Sequence, residues 1–232
     1  MKQAIYALDE LEYLFFHQQS LYLLRYYNHY MTILIIIATA IISFMGFKNP
    51  HMISKWVFSP YRVKHSNELS RFISHMFIHA DLSHLLFNMI SFFMFGAMIE
   101  GELDTHFGNS NGMIHFLILY FAGGLFSTLW PYIRNQENAN YLSLGASGAV
   151  SAVVFAGIMW NPTMKMGLIF LPIMIPAYIF GPLYLAFEFW MFKRQKTNIA
   201  HDAHIGGAVF GVLYILLINA DKGREFLHSI MS

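Results

Sequence analysis

Charge is distributed unevenly along the chain. Residues 31–47, 82–99, 113–130, 144–160, 166–187 and 203–220 contain no Asp, Glu, Lys or Arg, and each stretch is 17–22 residues long. About 20 apolar residues in a helix cross a hydrocarbon layer about 30 Å thick. The repeated length therefore predicts six transmembrane helices, an all-α membrane protein rather than a greasy soluble domain. An even number of crossings places both ends of the chain on one side.

The connections are unequal: 34 residues separate the first two spans (48–81), against 5–15 elsewhere. A connection that long has structure or a task of its own. Its Trp56, Pro60, Tyr61, Phe72 and Phe77 suit the membrane interface, where amphipathic rings settle, and predict short half-embedded helices. The expected organisation is an N-terminal interfacial or cytoplasmic segment (1–30), a six-helix transmembrane domain (31–220) and a short C-terminal tail (221–232). The acidic residues Asp9, Glu10 and Glu12 ahead of the first span do not match the basic start of a cleaved signal peptide.

Composition narrows the function classes. With 56% hydrophobic and 12% charged residues and a mean hydropathy of +0.47, disorder is excluded. Lys plus Arg (14) and Asp plus Glu (13) nearly cancel, so no basic field exists to hold nucleic acid. The absence of Cys removes disulfides and thiolate chemistry. The 12 His almost match the basic residues in number, and imidazole serves as both proton carrier and metal ligand.

Polar groups within spans are functional candidates, because the bilayer penalises them. His75 and His79, then His84 and Asn88, are spaced to share helix faces around the start of span two. Gly145-Ala-Ser147-Gly148 opens span four, and Ala203-His204-Ile-Gly206-Gly207 opens span six. Small residues of this kind commonly serve close helix packing. Pro172, Pro176 and Gly181-Pro182 predict a kinked fifth span.

Spans two, four and six run in the same direction, so His84 with Asn88, Ser147 and His204 are expected at similar depth on one face. Ser147 and His204 supply a nucleophile and a general base, and His84 and Asn88 supply donors for an oxyanion. A metal is not expected, since H-E-x-x-H is absent and the charge-free stretches hold no carboxylate ligand. Asp202 sits two residues from His204 and points elsewhere on a helix, so the expected unit is a Ser–His dyad without cofactor. A transporter would instead distribute ionisable groups near the midplane.

The joint pattern H-x3-H-x4-H-x3-N, G-x-S-G and A-H-x-x-G resembles the rhomboid intramembrane serine proteases over roughly residues 31–220. The resemblance implies that Ser147 is the nucleophile and His204 its base. It implies that His84, Asn88 and the Ser147 amide hold the oxyanion. Arg71, His75 and His79 then brace or line a wet cavity, and Gly145, Gly148 and Gly207 allow close approach around the serine helix. Glu100 corresponds to a glutamate in the loop after span two. Departures are Ser70 in place of Trp, Glu102 in place of a basic residue, and Ser151 in place of an aromatic on the histidine. The implied partners are the lipid bilayer and membrane-protein substrates that enter past span five. The alternative is a non-catalytic rhomboid-like binder or escort of transmembrane helices. The implied setting is a bacterial inner (cell) membrane with both termini cytoplasmic, although nine Lys or Arg then fall outside against five inside.

Overall fold

A computed structural model describes residues 30–167, 174–194 and 200–231; the expected N-terminal interfacial segment and Pro172 lie outside these residues. The helices are α1 (Tyr30–Phe47), α2 (Pro50–Trp56), α3 (Pro60–Ser66), α4 (Arg71–Ser74), α5 (Leu82–Phe107), α6 (Asn109–Ser127), α7 (Leu129–Asn135), α8 (Ser147–Trp160), α9 (Ala177–Arg194), α10 (His201–Ile218) and α11 (Asp221–Met231). A 3₁₀ turn, His75–Phe77, follows α4. The strands β1 (Lys165–Met166) and β2 (Ile175–Pro176) pair antiparallel before α9.

Tyr30–Phe47, Leu82–Phe107, Asn109–Asn135 and His201–Ile218 are long and apolar enough to cross a membrane. By that measure the described residues hold four spans, and α8 and α9 occupy the other two charge-free stretches. The fourth charge-free stretch yields α8, only 14 residues long. The fifth differs more: Lys165–Met166 and Ile175–Pro176 pair as two-residue strands, so α9 starts at Ala177, with Pro176 before the helix and Pro182 inside it. The expected C-terminal tail is helical through Met231.

Helix α8 is the hub, and nearly every residue in it is buried. Its neighbours approach through small residues. A Cβ on Gly123 of α6 would lie 2.5 Å from the Ala152 methyl, and Gly181 of α9 rests on Phe155 and Ile158. In α10, Gly207 and Gly211 face the carbonyl oxygens of Gly148 and Ala152. Apolar side chains also cover the outside, including Ile37 and Ile41 of α1, Phe93 and Met94 of α5, and Phe187 and Trp190 of α9. Contiguous apolar surface of this extent is matched to lipid, where helices associate through close packing rather than hydrophobic exclusion. At 14 residues α8 rises about 21 Å, short of a bilayer core of about 30 Å. One of its ends therefore lies within the depth spanned by its longer neighbours.

Glu100 lies inside α5, not in a loop. Buried at 2% exposure, it accepts the backbone N–H groups of Met31 and Thr32 at 2.9 Å and the Thr32 hydroxyl at 2.6 Å. The carboxylate thus caps the first turn of α1, where helical N–H groups lack partners and the dipole favours an anion. The second departure, Glu102, accepts the Trp160 indole N–H at 3.1 Å and fastens the far end of α8.

The long connection contains α2, α3 and α4. Asn49 and Ser59 cap α2 and α3, each followed by Pro at the first helical position. Arg71 is 1% exposed, donates to the carbonyls of Ser54 at 3.0 Å and Val57 at 2.6 Å, and pairs with Glu68. A guanidinium tying three segments explains how a 34-residue connection stays folded. Phe58 and Ser143 exchange backbone bonds of 2.8 and 3.0 Å, joining this connection to the segment that enters α8.

Candidate active site

Ser147 is the first residue of α8, so its N–H belongs to the turn whose donors have no intrahelical acceptor. The chain enters through Gly145 at φ +114°, a conformation that strains any residue with a Cβ. A Cβ there would also stand 2.7 Å from Cε1 of His84. Two histidines of the preceding connection hold this turn. The Gly145 N–H donates to the His75 carbonyl at 2.9 Å, and the Ala146 N–H donates to His79 Nε2 at 3.2 Å.

These partners assign the His79 tautomer. Nε2 must offer a lone pair, so the proton sits on Nδ1, which donates to Ser43 Oγ at 2.9 Å; Ser43 in turn donates to the Phe77 carbonyl at 2.9 Å. Burial, then the neighbouring His84, pushes His79 down to about 3, against a smaller opposing pull from Asp81. Burial lowers His75 to about 4, opposed in part by its bond to the Arg71 carbonyl. For both, the folded value lies below the unfolded value of about 6.5. The unfolded chain then binds more protons between about pH 6.5 and 3, so stability is complete above pH 6.5 and falls as the pH is lowered through that window. The melting temperature of the detergent-solubilised protein is expected to drop steadily from pH 7 to pH 5. A flat profile would show that these imidazoles are not held neutral.

The starts of α5, α8 and α10 meet. His204 Nε2 lies 2.8 Å from Ser147 Oγ. The His84 ring packs against Gly145, and Asn88, one turn on, donates its side-chain amide to the His84 carbonyl at 3.0 Å. Gly148 fits against Ser127, and Gly207 against Gly148, which sets the separation of α8 and α10 where the serine and histidine project. Ser147 and His204 are half-buried and remain accessible. Asp202 accepts the Ala203 N–H at 3.0 Å and lies near the Tyr141 hydroxyl, turned away from the pair.

A carboxylate nevertheless reaches His204, contrary to the expectation from the charge-free stretches. Glu188 of α9 is 4% exposed; its Oε1 is 3.2 Å from His204 Nδ1 and its Oε2 is 2.6 Å from His201 Nδ1. Its signal in the sequence was slight. Glu188 is the residue that ends the fifth charge-free stretch, and His201 precedes His204 by three positions, on the same helix face. Among the described residues, Glu188, His201 and His204 are also the one group able to hold a metal ion, their ligand atoms lying within 4.8 Å of one another. The third departure, Ser151, is buried beside the Tyr184 hydroxyl, which also neighbours Glu188.

The family described as rhomboid domain matches residues 66–220, two thirds of the chain. The chain belongs to the rhomboid family. RHOMBOID-like protein 12, mitochondrial, of Arabidopsis thaliana is 29% identical over 168 residues, covering 68% of this chain and 48% of that protein. Presenilin-associated rhomboid-like protein A, mitochondrial, of Danio rerio is 31% identical over 60% of this chain and 35% of its own length. Rhomboid-related protein 1 of Caenorhabditis elegans is 31% identical over 73% of this chain and 45% of that protein. The chain thus spans about half or less of the length of these relatives. The match to mitochondrial rhomboid-like proteins overturns the expected setting in a bacterial inner membrane, an expectation that rested on the motif pattern alone; an integral membrane protein stands.

Proposed function

We propose that this protein is a serine endopeptidase that cleaves transmembrane or juxtamembrane segments of other membrane proteins. The observation that carries the reading is the 2.8 Å contact between Ser147 Oγ and His204 Nε2 at the first turn of α8. Gly145 and Gly148 leave the hydroxyl uncrowded. As Oγ attacks the peptide carbonyl, its proton passes to Nε2, and the imidazolium then returns it to the leaving amine. On this reading the Ser147 N–H, His84 and Asn88 donate to the developing oxyanion; the His84 ring packs against Gly145, and Asn88 sits one turn further along α5. The connection carrying His75 and His79 braces the turn that presents the serine. On the names of the relatives, we assign the membrane as mitochondrial.

The test is labelling of the purified protein with a fluorophosphonate, which reacts only with an activated serine. Wild type is expected to label at Ser147, and both Ser147→Ala and His204→Ala to lose the signal. An unlabelled wild type that still binds transmembrane helices would identify a non-catalytic escort instead.

A further inference from the structure

Resting on the endopeptidase reading, we infer that Glu188 is a positioning carboxylate for His204. It holds the imidazole in the tautomer that leaves Nε2 free to take the Ser147 proton.

Burial along α9 singles this residue out. Ala177, Gly181, Tyr184 and Glu188 recur at helical spacing on the inward face, while Phe187, Phe189 and Trp190 point outward. An unpaired buried carboxylate is costly, so an anion on this face needs partners. It has two imidazoles, one per oxygen: His201 at 2.6 Å and His204 at 3.2 Å.

The tautomer follows from proton count. A neutral imidazole carries one N–H, and Nε2 must accept from Ser147 Oγ, so the proton resides on Nδ1. Nδ1 is buried with no aligned hydrogen-bond acceptor, and Glu188 Oε1 is the anionic atom 3.2 Å away. A small ring rotation aligns the pair, as catalytic hydrogen bonds tighten on substrate binding. When Nε2 takes the Oγ proton, both ring nitrogens carry hydrogen and the ring is cationic. Glu188 stays ionised and stabilises that charge without accepting a proton.

The experiment uses the full chain in detergent as wild type, Glu188→Gln and Glu188→Asp, with a fluorogenic transmembrane substrate, fluorophosphonate labelling and melting curves. Glu188→Gln is expected to lower kcat by about 10²–10⁴, with KM within about threefold, as for loss of the carboxylate in a serine triad. The acidic limb of its kcat/KM profile moves to lower pH, and Glu188→Asp recovers part of kcat. Labelling of Glu188→Gln slows in parallel. An unchanged pH profile with kcat reduced only in proportion to the folded fraction would overturn the inference, leaving Glu188 merely structural. So would one zinc ion per wild-type chain that is absent from Glu188→Gln, because a metal on Nδ1 leaves no proton there. Labelling separates the two levels: an unlabelled wild type defeats the hydrolase reading, whereas equal labelling of wild type and Glu188→Gln defeats only the positioning role.

Discussion

Ser147→Ala is expected to abolish cleavage of a transmembrane substrate, lowering kcat by about 10⁴–10⁶. The hydroxyl is the only nucleophile at the first turn of α8 within 2.8 Å of an imidazole. Its removal leaves His204 with nothing to deprotonate except water. Its loss costs the fold little, since Ser147 is half-buried and the turn before it is held by the His75 carbonyl and His79. His204→Ala should fall by a comparable factor, and the double variant should be no worse than either single one, because the two residues act as one unit. The comparison is kcat for the three variants on one substrate, with melting curves to confirm folding. Full activity in Ser147→Ala, or losses that simply multiply in the double variant, would rule out this pairing. A small residue of activity is compatible with it, since oxyanion donors keep some stabilisation when the nucleophile is gone.

Gly207→Ala should lower activity without touching a reacting atom. A Cβ at Gly207 would press into the backbone carbonyl of Gly148, next to the nucleophile. Backbone on both sides cannot swing aside as a side chain does, so α8 and α10 must part. His204 lies one turn before Gly207 on α10, and the same displacement stretches its contact with Ser147. A misplacement of about 1 Å can cost about 10² in rate, and overpacking costs about 1–3 kcal/mol in stability. Gly223→Ala in α11 is the control, because its Cβ would meet only the methyl end of Leu216. Gly207→Ala should lose both activity and thermal stability, and Gly223→Ala neither. Equal behaviour of the two variants would mean that the helix separation does not set the site.

Much of this arrangement is legible in the chain. Ser147, His204, His84 and Asn88 stand at the starts of stretches that run in one direction, and the starts of α5, α8 and α10 do come together. Gly207 and Gly211 recur at the spacing of a close helix contact, and they meet Gly148 and Ala152. The long connection forms short capped helices where its Pro, Asn and Ser residues permit. Glu100 reads differently. As a charge it was counted as the end of a span, whereas in the fold it continues α5 and caps α1.

The sequence by itself determined the membrane class, the long apolar stretches and the residues placed at one end of the even-numbered ones. Those features depend on local quantities: the length of an apolar run, helical spacing and the smallness of glycine. Only the tertiary structure decided that α9 starts directly after β2, that His79 holds the turn before the serine, and that Glu188 reaches His204. A span defined by the absence of charge cannot contain a carboxylate, yet burial excludes only an unpaired one. Whether Glu188 is paired depends on imidazoles 13 and 16 positions further along the chain, brought alongside by the packing of α9 on α8 and α10.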